Sequence, residues 1–487
     1  MSSDNVLDQV KKLREITGVG FSDCKKAIDE NHGDIEKSIL FLRKKGISKA
    51  NQKQTRIAAD GVICIHEEKN VFSMVEINTE TDFVAKNENF IKFAEEVSKI
   101  VLKMATDYGG SQDSFAIGSK SYLPANLAAL VNGTTSHSLD YDDTHFDYVG
   151  HPSVVVIPAT LALAQKHNVN KQTFKECCLI GLELTCRIGK WLGRKHYRTG
   201  FHITATAGTF GATMALARLM SLSKKQTVNA FGIASSRASG VKAQFGTMGK
   251  PYHAGISALS AVESVTLAKN EFVSFERSLE GNQGFGETHH SEFNENAFDA
   301  LGERFIFNDV THKYHACCHG THATIEALNN LKQSNILPLE NIKKIEVLVH
   351  PQWLNVCNIT KPVSGLESKF SYKLISALVL NDYNTAKIDT FSDSICNNLK
   401  IKKIRDMVEI KTSEKFSETF AEVKIFFNKN EIIKSNYDLK NLKNVSQKEQ
   451  KMKIKTKSLL GEKHSESLWS SLKNSNDLPN QWLENYL

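Results

Sequence analysis

Apolar residues recur at helical spacing from the start of the chain. Val6, Val10 and Leu13 fall on one helical face, and Ile35, Ile39 and Leu42 on another. Gly18 and Gly20 interrupt the first run. His32-Gly33-Asp34 interrupts the second, with Asp34 placed to cap the helix that follows. Residues 4–45 therefore predict three short helices, followed by a basic, polar linker, SKANQKQTR. The period then changes. GVICIH (61–66) and VFSMVEI (71–77) are rich in β-formers, EEKN between them reads as a hairpin turn, and a helix is expected from about Ile91 to Met104.

Farther along, from Leu123 to about Leu267, the pattern is helical and rich in Ala and Gly. The run TATAGTFGATMALARLM carries small residues on several faces, which predicts helices packed closely in a buried bundle. From about Asn294 to Leu439 helices alternate with strand-like runs, KKIEVLVH, MVEIKTS and AEVKIFF, and from about Ser446 the pattern is helical again. The expected fold class is mainly α with α+β parts. The expected domains are a three-helix domain (1–46), a short αβ piece (56–104), a helical domain (109–293), an α/β domain (294–440) and closing helices (441–487) that return to the helical domain.

Composition narrows the function classes. A chain of 487 residues with 41% hydrophobic and 24% charged positions can bury a large core without disulfide or metal staples. The net charge of +7 is modest, and lysine-rich stretches such as KIKKIR and KEQKMKIKTK read as solvated surface, so no nucleic-acid partner is expected. Nine cysteines include no CxxC pair, which favours a reducing cytoplasm. The N-terminus reads as a charged amphipathic helix rather than a signal peptide. The longest apolar runs are too short for a bilayer and contain Pro158, so no membrane association is expected.

Thr81-Asp82-Phe83-Val84 follows a strand and precedes a helix, which puts a Phe beside an Asp on a turn. One reading makes Phe83 a core residue and Asp82 a helix cap; the other makes them a partner surface. KKLREITGVGFSDCKKAIDENHGDIEKSILFLRKKG and INTETDFVAKNENF together resemble the opening of bacterial elongation factor Ts. The resemblance implies a ubiquitin-associated-type (UBA-like) helical domain followed by part of that factor's core. It also implies that elongation factor Tu is a partner, contacted by Thr81, Asp82, Phe83 and Val84 and by Gly18, Val19, Gly20 and Phe21. Most of that factor's core and its C-terminal module have no counterpart here, so binding with poor nucleotide exchange is expected.

The second half offers Lys250, His151, His202, His253 and His322, each inside a Gly- or Ala-rich stretch. Cations that hold carboxylates and a base that takes a proton from carbon would suit chemistry on a small anionic acid. His137, Asp140, Asp142, Asp143, His145, Asp147 and His151 could instead form a metal cluster by composition, though the spacing matches no recognised metal pattern. Asp140 could simply cap a helix, and His202 or His322 could be core histidines.

Five stretches carry a second resemblance: NGTTSHSLDYDDTHFDYVGHPSVVVIPATLALA, RTGFHITATAGTFGA, FGTMGKPYHAG, KYHACCHGTHATIEAL and SKFS. From Gly109 onward they resemble the MmgE/PrpD family, which includes 2-methylcitrate dehydratases, cis-aconitate decarboxylases and an epimerase. This resemblance implies a lyase, or an isomerase, that acts on a di- or tricarboxylate without metal or cofactor. It places Asp140, Thr144, His151 and Lys250 at catalytic positions and His202, His253, His322 and Lys369 near the substrate pocket, and it implies a homodimer. Cys318 stands where the decarboxylases have a His, which argues against decarboxylation. The family's opening helices are replaced by the elongation-factor segment, so the chain reads as a fusion. Three outcomes stay open: a lyase, an elongation factor Tu partner with an inert passenger, and a chain in which neither half acts.

Overall fold

The computed structural model describes residues 9–13, 21–31, 33–39, 41–42, 60–68, 71–79 and 108–474, the last range with breaks at 118–120, 139–140, 246, 335–336, 429–430 and 443. Contacts divide the chain into two compact units, Met1–Ile57 and Ala58–Leu487.

In the first unit, helical residues 9–13 and 35–39 and helix α1 (Phe21–Glu30) meet over one small core of Val10, Leu13, Cys24, Ala27, Ile28 and Leu42. The expected cap is formed: the backbone N–H of Lys37 donates to Asp34 Oδ1 at 3.0 Å. The Ser38 hydroxyl donates to the Ala27 carbonyl at 2.9 Å and ties the third helix to α1. Gly18, Val19, Gly20 and Thr81–Val84 lie outside the described residues, and Phe21 opens α1 with its side chain undescribed.

The second unit starts with an antiparallel hairpin, β1 (Asp60–Glu68) and β2 (Val71–Thr79), in register from Asp60↔Thr79 to Glu68↔Val71. Glu67 and Glu68 belong to the strand, so they are not part of the turn that EEKN was expected to form. A small ladder, β3 (Ser114–Phe115) with β4 (Tyr122–Leu123), leads into six helices: α2 (Ala125–His137), α3 (Ser153–Lys166), α4 (Lys171–Thr199), α5 (Ile203–Leu219), α6 (Lys224–Ser235) and α7 (Gly249–Lys269). Helices α3 and α5 bury residues on every side and form the middle of the bundle. Helix α2 crosses α7 where Gly133 meets Gly255, and a Cβ on Gly133 would lie 2.8 Å from the Gly255 Cα. Small residues set this spacing, which brings the ends of α2 and α7 close together.

Helix α4 is 29 residues long and breaks at Gly193, whose φ of +75° favours glycine and re-aims the last turns. Ahead of the break, fully buried Arg187 pairs with Glu183 at 2.6 Å. The guanidinium also donates to the carbonyls of Ala297 (2.8 Å) and Arg304 (2.5 Å), and Glu183 accepts the N–H groups of Ile306 (3.1 Å) and Phe307 (2.9 Å). Each buried charge is therefore satisfied, and the loop is locked to the bundle.

The α/β part has a four-stranded sheet in the order β10-β9-β7-β8: β7 (Ile342–Val349), β8 (Val408–Thr412), β9 (Phe420–Phe427) and β10 (Ile432–Asp438). β7 and β8 run parallel; the other pairs are antiparallel. Ala421, Val423, Ile425 and Phe427 alternate inward along β9 and pack with helices α8 (His319–Ser334), α9 (Tyr372–Leu380) and α10 (Leu399–Arg405). A two-residue ladder joins this part to the helical part: β5 (Asp143–Thr144) pairs with β6 (Thr311–His312).

Two last helices, α11 (Val445–Leu460) and α12 (Glu462–Asn474), touch both parts. Lys171 of α4 donates to the Ser471 carbonyl (2.5 Å), and Lys451 pairs with Glu326 of α8 (2.6 Å). Lys455 is buried, which brings its ammonium down to about 8. It donates to the carbonyls of Tyr141 (2.5 Å) and Lys313 (2.9 Å) and sits 3.6 Å from the centre of the Tyr141 ring. No described helix is long and apolar enough to cross a membrane.

Candidate active site

A cavity of about 670 Å³ opens where the bundle meets the α/β part. The bundle contributes the end of α2 (His137), the loop from Tyr141 to His151, the re-aimed end of α4 (Arg194, Arg198) and the first turn of α7 (Lys250). Lys313, Cys317, Cys318, His319, Trp353 and Lys369 come from the other side. Five cationic side chains thus line the space: Arg194, Arg198, Lys250, Lys313 and Lys369. Among the described residues one carboxylate lines it, Glu418, and Arg194 pairs with that at 3.1 Å. Such a lining attracts polyanions. Lys250 stands in the first turn of a helix, where the helix dipole also favours an anion.

One wall holds a clamp of three side chains. Asp142 contacts His137 Nδ1 through one oxygen and lies 2.9 Å from His151 Nδ1 through the other. Burial brings fully buried His137 down to about 4, so it is neutral at pH 7 and donates from Nδ1. Burial pushes Asp142 upward, but His151 and His137 outweigh it and hold the carboxyl well below its usual range. The hydrogen-bond acceptor of that His151 nitrogen is the Asp143 carbonyl, at 2.6 Å. A carbonyl accepting from Nδ1 requires that nitrogen to carry the proton, which leaves Nε2 as the basic nitrogen. The backbone N–H of His151 donates to Thr204 Oγ1 at 3.1 Å.

Of the catalytic positions read from sequence, Thr144, His151 and Lys250 share the cavity, and Asp140 lies outside the described residues. Thr144 Oγ1 is 3.3 Å from His319 Nδ1, and its carbonyl accepts from the Thr311 hydroxyl at 2.9 Å. Lys369 also lines the cavity; His202, His253 and His322 do not. His202 lies behind His137 with ring centres 5.8 Å apart, and its Nδ1 is 3.1 Å from His253 Nδ1. His322 Nε2 is 3.2 Å from the Cys317 carbonyl. Burial lowers the pKa of all three imidazoles.

The composition that raised a metal reading disperses. His145 bonds the Ile306 carbonyl (3.0 Å), Asp147 pairs with Lys440 (3.3 Å), and Asp143 accepts from the Ser153 hydroxyl. Burial and the Asp142 charge push Asp143 up to about 6. His137, Asp142 and His151 do converge, with their donor atoms within 4.8 Å of one another, a set whose composition could take a divalent ion. Here the carboxylate faces both imidazoles directly.

Sequence reasoning missed Arg194, Arg198, Lys313 and His319. Arg198 and Lys313 open two of the quoted stretches, RTGFHITATAGTFGA and KYHACCHGTHATIEAL, so a cation beside small residues was the available signal. Arg194 depends on the break at Gly193, which no local pattern announces.

The MmgE/PrpD N-terminal domain matches residues 93–296, and the MmgE/PrpD C-terminal domain matches residues 315–465. The first match starts 16 residues before Gly109, the expected start of this part. The N-terminal region is similar to curated proteins named elongation factor Ts. That of Methylobacterium radiotolerans is 43% identical over 122 residues, 25% of this chain and 40% of that protein. That of Malacoplasma penetrans is 48% identical over 96 residues, 20% of this chain and 33% of that protein. That of Helicobacter hepaticus is 44% identical over 127 residues, 25% of this chain and 36% of that protein. The chain thus spans about a third to two-fifths of the length of these relatives.

Proposed function

The chain belongs to the MmgE/PrpD family across residues 93–296 and 315–465, and from that membership we propose that it is a lyase of the 2-methylcitrate dehydratase type. Its substrate is a small di- or tricarboxylate, and its reaction is proton abstraction beside a carboxylate followed by elimination. The observation that carries this reading is the cavity itself, with five cations around one paired carboxylate and a tautomer-fixed imidazole in the wall. Lys250 binds a substrate carboxylate, His151 is the base or acid, Thr144 donates to the substrate, and Asp140 shares in proton handling. The enzyme works as a cytoplasmic homodimer without a cofactor.

Steady-state turnover of 2-methylcitrate and related acids by the full chain tests this. Lys250→Ala should raise KM by roughly tenfold or more, since a charge-assisted contact contributes about 1.5–3 kcal/mol. An unchanged KM removes Lys250 from the binding site.

A second activity is supported by the 41–48% identity to elongation factor Ts proteins. The N-terminal segment binds elongation factor Tu through Thr81–Val84 and Gly18–Phe21 but releases GDP poorly, because most of the factor's length is missing. Calorimetry and stopped-flow GDP release measure both halves of this statement. Exchange as fast as that of a complete factor sinks the second half, and Phe83→Ala with unchanged binding sinks the wedge assignment.

A further inference from the structure

We propose that Glu418 is a specificity-determining residue: it supplies a carboxylate of the protein's own to the Arg194 fork and so weakens binding of acids that carry a third carboxylate. This rests on the lyase reading only in taking the cavity as the substrate site. Arg194 is aimed by its surroundings. Gly193 turns the end of α4, and Glu292 fills the space where a Cβ at that glycine would stand and accepts the Lys195 N–H at 2.7 Å. Arg194 then meets Glu418, in the connection between β8 and β9, through two contacts: Nη1 to Oε1 at 3.1 Å and Nη2 to Oε2 at 3.3 Å. Nη2 also donates to the Phe146 carbonyl at 3.2 Å, which fixes the plane of the guanidinium. Such a fork-to-fork pairing is the geometry in which an arginine takes a carboxylate ligand.

Glu418 is held from its own side as well. The Trp353 indole N–H donates to its backbone carbonyl at 2.8 Å, and Gln352 bonds its carboxyl. Burial pushes that carboxyl up, but Arg194, Gln352 and His350 outweigh burial and hold it below its usual range, so Glu418 is charged at neutral pH. Among the described residues it is the one carboxylate that lines the cavity, against five cations. A substrate carboxylate that reaches Arg194 must displace it, an exchange of like for like that gains little. The two side chains are 39% and 30% exposed, so a ligand can reach the guanidinium and loss of the pair costs the fold little.

The test is calorimetry on the full chain with two acids that differ by one carboxylate and have no leaving group: glutarate (propane-1,3-dicarboxylate) and tricarballylate (propane-1,2,3-tricarboxylate). Glu418→Gln keeps the shape and removes the charge. In it the preference for tricarballylate over glutarate should rise roughly tenfold, the worth of one charge-assisted contact. Glu418→Ala should shift the preference the same way. Arg194→Lys/Glu418→Gln has the same cavity charge but no fork, and most of the gain should be lost in it. An unchanged preference in both single variants overturns the proposal. So does a gain of full size in the double variant, because cavity charge and not the fork would then decide. Failure of both acids to bind either the wild type or Glu418→Gln overturns it too. Neither acid can eliminate, so binding is read without turnover. The predicted shift with no turnover of any acid fails the lyase reading alone, and turnover with an unchanged preference fails this one alone.

Discussion

Asp142 and Glu326 are both buried carboxylates that touch histidine, yet they serve different ends. Glu326 bonds His315 Nε2 at 3.2 Å, and Lys451 closes on both its oxygens at 2.6 Å. His315 is held on its other side by Thr385 at 2.7 Å. Its charge is matched by a lysine, and the group joins α8 to α11. Asp142 pairs, among the described residues, with imidazoles alone, and both of them line the cavity. A carboxylate closed by an ammonium braces the fold, whereas one shared between imidazoles leaves a nitrogen poised to exchange a proton.

Paired histidine substitutions give the largest contrast. His151→Ala should lower turnover by a factor of about 10²–10⁴, the range for a lost general acid or base. His315→Ala should leave turnover within a few-fold and lower the melting temperature. Equal loss of turnover in both would erase the distinction.

The two clusters should also lose stability in different pH windows. His137 is brought down to about 4 by burial, from 6.5. The unfolded chain therefore takes up this proton first, and the associated stability is intact above about pH 6.5 and lost as pH falls toward 4. Glu326 lies at about 2 instead of 4.5, because His315 and Lys451 outweigh the upward push of burial. Its contribution is intact above about pH 4.5 and lost as pH falls toward 2. Each step amounts to about 3 kcal/mol. Urea unfolding across this range should show both, with His137→Gln flattening the upper step and Glu326→Gln the lower. A single step removed by either variant would merge the clusters.

The smallest effect concerns the brace alone. Lys451 is partly exposed, so water screens its pairing, and Lys451→Ala should cost only about 1 kcal/mol in urea unfolding with kcat unchanged. A change in kcat would tie this pair to the cavity.

Much of this was legible in the sequence, for reasons particular residues make plain. Strands β7, β8 and β9 announced themselves through Ile, Val and Phe with one buried face. The edge strand β10, IIKSNYD, did not, since none of its residues is buried and no apolar alternation is required there. Thr144, His151 and Lys250 were found because each stands inside a distinctive stretch. Asp142 entered only as one member of a metal composition. In DYDD the carboxylates differ by one or two positions, and only the path of the loop decides which one meets His151. His202, His253 and His322 stand in equally distinctive stretches but pack behind the wall, so a motif places a histidine near a cavity without fixing the direction it faces.

The bond from Lys455 to the Tyr141 carbonyl spans 314 residues of chain. At about 5–20 residues per second, roughly 15–60 s separate the synthesis of these two partners on the ribosome. Once α7 has been made, the bundle can be complete for the rest of that interval while the loop that carries Asp142 and Thr144 waits for its support. The cavity is therefore finished late in the birth of the protein, by a lysine from α11, and a nascent chain halted before α11 would carry a folded scaffold and an unbraced site.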